Sequence, residues 1–349
     1  MDGHKKENKM MQTPVNWKSE SVLVTGGGGF LGKHIIDALL RLNCGSIRSV
    51  GRRPQPELGK TGVEVLCGDI SDSSFTLKAC ESRTLVFHVA ALAGVWGKRE
   101  DFYRINVTGT DNIVDACRKK NIGTLVYTSS PSVVLHNGDT LNADESVPYP
   151  EKYLAPYPET KAIAERLVLD ANSADFATAA IRPHLIWGPG DPHLLPRVVD
   201  RAKKGKLMQV GDGKNLVDMT YVDNAALAHI YAAETLRNSQ KANGKAYFIS
   251  DGNPVVLWAW ISNLLKMLDI PPVNKKISYR SAYAAGALME LLYKILPLTG
   301  EPPMTRFVAG QLAHSHYFNI SAARNDFGYN PEISHEEALR KTVEWLSGR

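Results

Sequence analysis

Tyr157 and Lys161 stand four residues apart in "APYPETKAIAE", and Ser129 and Ser130 close the run "TLVYTSS" upstream of them. Of the 13 tyrosines only Tyr157 has a lysine four positions on. One such match is expected by chance, so the placement of the pair has to carry the reading. A phenol with a reference pKa of about 10 is a poor proton shuttle at neutral pH. A neighbouring ammonium stabilises the phenolate and draws that value toward the working range. A serine hydroxyl beside the pair can hold a substrate oxygen while its proton comes or goes. The chemistry this trio suits is proton transfer at a carbonyl or hydroxyl oxygen.

A second constellation lies near the N-terminus. In "SVLVTGGGGFLGKHI" the glycines fall at GxxGxxG spacing through Gly26, Gly29 and Gly32, and GxGxxG also fits through Gly27, Gly29 and Gly32. An apolar strand-like run precedes them and an amphipathic helical run follows, which excludes a flexible linker. A strand-to-helix turn without side chains lets a pyrophosphate touch the backbone and the helix N-terminus, here the amides around Phe30 and Leu31. The acid that usually reads the ribose hydroxyls about twenty residues on is missing. Gly51, Arg52 and Arg53 occupy that place, and guanidinium groups suit a 2′-phosphate, so NADP(H) is expected rather than NAD(H). "GDI" puts Asp69 and Ile70 beside the adenine, Asp69 being equally able to form a turn. Small Ala90 and Ala91 in "HVAALAGVWG" permit close approach of the cofactor, and His88 reads as a packed core histidine.

These residues need a scaffold. Short β-branched runs at 21–25, 46–50, 63–67, 84–90, 124–130 and 177–182 alternate with helical stretches, the clearest at 30–43, 99–120 and 161–172. Such alternation predicts an α/β fold with a doubly wound parallel sheet. Gly45 is the expected left-handed cap of the first helix. Pro158 is expected to hold Tyr157 out of helical geometry, so that Tyr157 and Lys161 straddle the helix start. "KAYFIS" at 245–250 is expected to return to the sheet, and a last helix is expected near 335–347. The predicted organisation is a disordered tail over 1–19, a dinucleotide-binding domain over 20–186 with a return segment near 216–250, and a mainly helical substrate cap over 187–215 and 251–349.

Composition narrows the classes. A net charge of +5, from 41 basic and 36 acidic residues mixed along the chain, gives no basis for nucleic-acid binding. The four cysteines lack CxxC spacing, which argues against a zinc site or disulfide frame and for a cytoplasmic protein with reduced thiols. The apolar stretch 282–298 carries Glu290 and Lys294 and is too short and too charged to span a bilayer, so a helix packed against its own domain is expected, with rest on a membrane surface as the alternative. No metal site is expected.

Taken together, the glycine turn, the strand-end serine and the Tyr-Lys pair resemble the short-chain dehydrogenase/reductase superfamily in its extended branch. "YTSSPSVV", "YPETK", "RPHLIWGPGD" and "DMTYVDNAALAH" resemble its 3β-hydroxysteroid dehydrogenase-like group. That resemblance implies Ser130 as catalytic serine, Tyr157 as acid/base and Lys161 on the ribose. It also implies Pro183 and Ile186 beside the nicotinamide, and a structural rather than catalytic Asn106. "AGVWG", "WGPGDPHLLPR", "GDGKNLVDMTY" and "GEPPMTRF" are similar to the bacterial 2-alkyl-3-oxoalkanoate reductases of long-chain olefin biosynthesis. Membership there implies NADPH-dependent reduction of a 3-oxo group and a lipid-like substrate. A homodimer is expected, with peripheral contact to a membrane or to pathway enzymes. Trp96, Arg182 and Arg306 are the substrate candidates, the two arginines as partners for a carboxylate. The competing readings are a decarboxylating sterol or hydroxysteroid dehydrogenase and a non-catalytic NADP-binding sensor. A nucleotide-sugar dehydratase would place an acidic pair after the serine, where Pro131 and Ser132 stand.

Overall fold

The computed structural model describes residues 15–136, 138–296 and 298–348. Seven strands form its main sheet: β1 (Ser21–Thr25), β2 (Ser46–Gly51), β3 (Glu64–Cys67), β4 (Leu85–His88), β5 (Thr124–Thr128), β6 (Ala177–Pro183) and β7 (Lys245–Ile249). All pairs are parallel, in the order β7-β6-β5-β4-β1-β2-β3. The order reverses beside β1, the crevice where doubly wound sheets bind ligands.

Strands covered on both faces read as continuous apolar runs, as β1 does. Leu23 packs into one layer with Val86, Leu125 and Tyr127, beneath helices α2 (Gly109–Lys119) and α3 (Pro156–Asp170). Val22 and Val24 pack into the other, beneath α1 (Phe30–Arg41) and α4 (Val222–Asn238). "KAYFIS" is β7 and joins the sheet edge against β6.

Outside the main sheet, Val255–Val256, Leu216–Val217, His316–Phe318 and Thr140–Ala143 make a second small sheet in that order. Thr140–Ala143 comes from inside the span 20–186, so the two halves of the chain interleave. Helices α5 (Tyr279–Ile295) and α6 (Arg306–Ala313) pack on each other, and the last helix is His335–Ser347. No helix of the described residues is long and apolar enough to cross a membrane.

Four local expectations are corrected. Of the tail 1–19, residues 1–14 lie outside the described residues. Its last part is ordered: Trp17–Ser19 form a 3-10 turn, with Trp17 buried and its indole N–H donating to Glu234 at 2.9 Å. Gly45 is not the left-handed cap. Asn43 takes positive φ there (54°), while Gly45 is needed because a Cβ would stand 2.2 Å from the Lys18 carbonyl oxygen. The 99–120 helix is interrupted by a π-helical turn at Tyr103–Thr108. Finally, α3 begins at Pro156, so Tyr157 is helical and stacks one turn before Lys161. Pro156 sits at N1 and Pro158 at N3, where backbone N–H groups have no intrahelical acceptor, so neither proline costs a hydrogen bond.

Candidate active site

The glycine turn is built by close approach. Gly26 takes φ +71°, and a Cβ on it would come within 2.9 Å of Ala90. Thr25 Oγ1 accepts from both Val89 N–H and Ala90 N–H at 3.1 Å, which draws the loop after β4 against the turn. A Cβ at Gly32 would stand 2.2 Å from the Gly26 carbonyl oxygen, and Gly29 is the N-cap of α1. Phe30, Leu31 and Gly32 therefore present the open amides of a helix N-terminus across a turn without side chains. This cradle fits the pyrophosphate of a dinucleotide.

The remaining cofactor candidates differ in their surroundings. Arg52 and Arg53 are exposed at the end of β2, with no hydrogen bond or ion pair to any described residue. Asp69 is less free. It accepts from Ser71 N–H and Oγ–H and pairs with Arg104 at 2.9 Å; these donors hold its carboxyl below the usual range despite partial burial. Its geometry is that of a turn-forming aspartate. Ile70 is buried against Gly109, where a Cβ would meet its side chain at 2.7 Å. Ala91 follows Ala90 in the same loop. Pro183 ends β6, and Ile186 lies just past Leu185, whose φ of 41° marks a tight turn at that edge of the sheet.

The proton-transfer trio is assembled at the carboxyl edge of β5. Ser130 caps a 3-10 turn, and its Oγ accepts from Ser132 N–H (3.2 Å) and Ser132 Oγ–H (2.9 Å). With both lone pairs engaged, its own proton is left for Tyr157 or a substrate oxygen. Burial pushes the Tyr157 phenol up, and the hydrogen bond with Ser130 draws it partly back. Lys161 is buried and donates to the Thr128 carbonyl, with its ammonium 4.1 Å from the Tyr127 ring centroid. Burial brings it down to about 7, against an opposing pull from Glu165. The ammonium thus does not lower Tyr157 in the chain alone. The lowering expected of the oxidised complex needs the positive nicotinamide ring as well, and Tyr157 by itself is a protonated acid.

Two supporting residues flank the trio: Asn106, expected from the resemblance as structural, and Ser132, whose part is visible only in three dimensions. Asn106 sits in the π-helical turn, accepts from Leu92 N–H at 2.7 Å and donates to Leu92 O and Thr160 Oγ1. It clamps the loop after β4 to α3 beside Lys161, a structural role. π-turns concentrate at functional sites, and the extra residue here turns Asn106 inward. Ser132 had no sequence signal beyond its nearness to Ser130. His88 is a core histidine: Thr25 and Thr110 hydroxyls hold its ring nitrogens at 2.7 and 2.9 Å, and burial brings it to about 3.

The two arginine candidates separate. Arg182 is committed elsewhere: Nε and Nη2 donate to Glu165 at 2.8 and 2.6 Å, and the side chains are 3% and 0% exposed. It borders a cavity under Tyr149 and Tyr247 at the β7 edge, apart from Ser132 and Pro158. A substrate role for it is corrected to a buried ion pair between β6 and α3. Arg306 lines a different cavity, of about 230 Å³, bordered by Ser132 and Pro158 on one side and by Tyr279, Phe307 and His314 on the other. Its Nε and one Nη hold Glu290 at 2.8 Å, and it is only partly exposed. Trp96 meets Tyr293 of α5 edge-on at 6.1 Å, joining the loop after β4 to the cap.

A dinucleotide cradle at the switch point of the sheet and a Ser-Tyr-Lys acid centre at its carboxyl edge define a nicotinamide-dinucleotide oxidoreductase of the extended short-chain kind. Residues 23–279 match the model of the 3-beta hydroxysteroid dehydrogenase/isomerase family. The chain belongs to that family. It is 49% identical to a 2-alkyl-3-oxoalkanoate reductase of Stenotrophomonas maltophilia, over 92% of this chain and 97% of the relative. It is 44% identical to the protein of the same name from Shewanella oneidensis, over 93% and 86%. The mouse decarboxylating sterol-4-alpha-carboxylate 3-dehydrogenase is 36% identical over 94% and 91%. Among solved structures, MoeE5 in complex with UDP-glucose and NAD superposes with a TM-score of 0.71 at 25% identity, covering 93% of this chain and 98% of that one. A dTDP-glucose 4,6-dehydratase from Streptomyces venezuelae gives 0.72 at 20%, over 93% and 96%, and shares the fold.

Proposed function

We propose that the protein reduces the 3-oxo group of a 2-alkyl-3-oxoalkanoate to the 2-alkyl-3-hydroxyalkanoate with NADPH, as a cytoplasmic homodimer. The observation that carries the reading is the 49% identity to a reductase of that name across 92% of the chain, cap included. A bound NADPH supplies the hydride. Ser130, with its lone pairs held by Ser132, gives its hydrogen bond to the substrate oxygen. Tyr157, kept protonated by burial, delivers the proton to that oxygen as negative charge develops on it. Lys161 donates to the ribose in this reading and adds its charge to that of a bound nicotinamide beside the phenol. Arg52 and Arg53 are unpaired at the end of β2 and suit the 2′-phosphate. Arg306 lines the cavity beside Ser132 and Pro158 and suits the substrate carboxylate, with Trp96 at the cap side. Four free cysteines accord with a reducing compartment.

The test is NADP⁺ reduction by a synthetic 2-alkyl-3-hydroxy acid, with NAD⁺ and a 3β-hydroxysteroid as comparison arms. The reverse direction avoids a 3-oxo acid that loses CO₂ unaided. Turnover of the alkyl acid with NADP⁺, lost in Tyr157→Phe while NADPH still binds, is the expected result. Turnover of the steroid alone would transfer the chain to the dehydrogenases of sterol carboxylates. Binding of NADPH with no Tyr157-dependent turnover of either would point to a sensor.

A further inference from the structure

The outward face of α5 and the turn after it are crowded with exposed apolar side chains. Leu288, Leu291, Leu292 and Ile295 are 57, 52, 40 and 68% exposed, and Leu296 and Leu298 are each 47% exposed. They are six of the eleven large hydrophobic residues exposed among the described residues. Helical spacing separates them from the packed face. Ala282, Gly286 and Glu290 are buried, and Gly286 lies so close to the Thr305–Arg306 backbone that a Cβ would stand 2.7 Å away. Leu288, Leu291 and Ile295 fall on the opposite side of the helix. They line neither the core nor the cavity beside Pro158.

The surroundings of this stripe are cationic. Residues 194–206 and 273–305 hold nine lysines and arginines and three acids, one of which, Glu290, is buried against Arg306. The segments are neighbours in space: Lys275 donates to Gly205 O at 2.9 Å, and Arg201 to Pro303 O at 2.7 Å. Lys203, Lys204, Lys206, Lys275, Lys276 and Arg280 are all exposed there. A local excess of six positive charges exceeds the net +5 of the whole chain. An apolar helical stripe with cations gathered at the N-terminal end of its helix suits a helix lying in an anionic lipid interface. The same charge opposes contact with a second copy of this face.

We propose that the outward face of α5, with its flanking lysines, docks on the surface of an anionic lipid bilayer. One further line of support rests on the long-chain substrate proposed above. The cavity of about 230 Å³ falls short of the roughly 300–1,000 Å³ that encloses even a drug-sized ligand, so long alkyl chains extend beyond it. The Trp96–Tyr293 contact joins α5 to the loop after β4.

The experiment is co-flotation of the full chain with vesicles of phosphatidylglycerol and phosphatidylethanolamine, against vesicles of phosphatidylcholine alone. The wild type binds the anionic vesicles and releases as salt rises. Leu288→Ser/Ile295→Ser lowers the partition coefficient at least tenfold. Lys203→Gln/Lys204→Gln/Lys206→Gln lowers it roughly a hundredfold at low salt. Both variants keep wild-type turnover of a short-chain, water-soluble 2-alkyl-3-hydroxy acid, which shows that they fold. Failure of the wild type on that substrate would refute the proposed reaction and leave the vesicle result standing. Absence of vesicle binding, or binding that both variants retain, overturns the proposal. Concentration-dependent association of the chain that Leu288→Ser/Ile295→Ser abolishes, without vesicle binding, overturns it in favour of a protein partner.

Discussion

Arg182→Met distinguishes a buried ion pair from a substrate-binding arginine. In the folded chain its guanidinium is the main counter-charge of Glu165, which is fully buried and otherwise accepts only from Tyr149 Oη at 2.6 Å. Removing one partner of such a pair costs about 3–5 kcal/mol. The expected loss is therefore about 3–5 kcal/mol, read as a fall in the urea midpoint at unchanged slope. Arg182→Met/Glu165→Leu, which removes both charges, recovers most of the stability. Wild-type stability of Arg182→Met at pH 7, together with a raised KM for the carboxylate substrate, would refute this account and return Arg182 to the active site.

Two other expectations follow from groups whose surroundings are equally plain. Replacing both Arg52 and Arg53 by Ala removes exposed, unpartnered guanidinium groups, so stability stays within about 0.5 kcal/mol. NADPH affinity falls about ten- to a hundredfold, as loss of charge-assisted hydrogen bonds worth about 1.5–3 kcal/mol implies, while NADH affinity hardly changes. Equal losses for the two cofactors would sink the assignment. Burial holds His88 at about 3 and His229 at about 4 in the fold. Above pH 6.5 neither state is protonated. Below it the unfolded chain takes protons that the core refuses, so stability drops through the window from 6.5 down to those values. Each histidine adds roughly 1.4 kcal/mol per pH unit. Urea midpoints at pH 6.5, 5.5 and 4.5 should fall less steeply in His229→Gln, and parallel slopes would show that His229 is not held neutral.

Much of the scaffold is legible in the sequence because it depends on local pattern. Continuous apolar runs mark strands buried on both faces, and glycines that a neighbouring backbone crowds out of side chains mark the cofactor turn. Gly26 and Gly32 show that crowding directly. What escapes a linear reading depends on partners distant in the chain. Arg182 looks like a free cation until Glu165, 17 residues earlier, is brought beneath it. Gly45 has the residue type of a left-handed cap, yet its constraint comes from Lys18 on another element. The same holds for Tyr157. Pro158 argues against helix at the residue before it, but Pro156 has already fixed the first turn, where a missing N–H costs nothing.

Function separates from fold at the residues that follow the strand-end serine. The seven-stranded sheet is shared with a dTDP-glucose 4,6-dehydratase at a TM-score of 0.72, so the sheet alone does not choose a reaction. Where a dehydratase places its acidic pair, this chain has Pro131 and Ser132. Pro131 starts a 3-10 turn without needing an N–H partner, and Ser132 spends its hydroxyl on Ser130. Neither is a carboxylate able to take a proton from carbon. The proposed reduction therefore rests its proton transfer on Tyr157, whose phenol is held above its usual value and is protonated in the chain alone. In that reading a positive nicotinamide ring lowers the same phenol for the reverse reaction, and the cap residues around Arg306 are where the choice of substrate is to be tested.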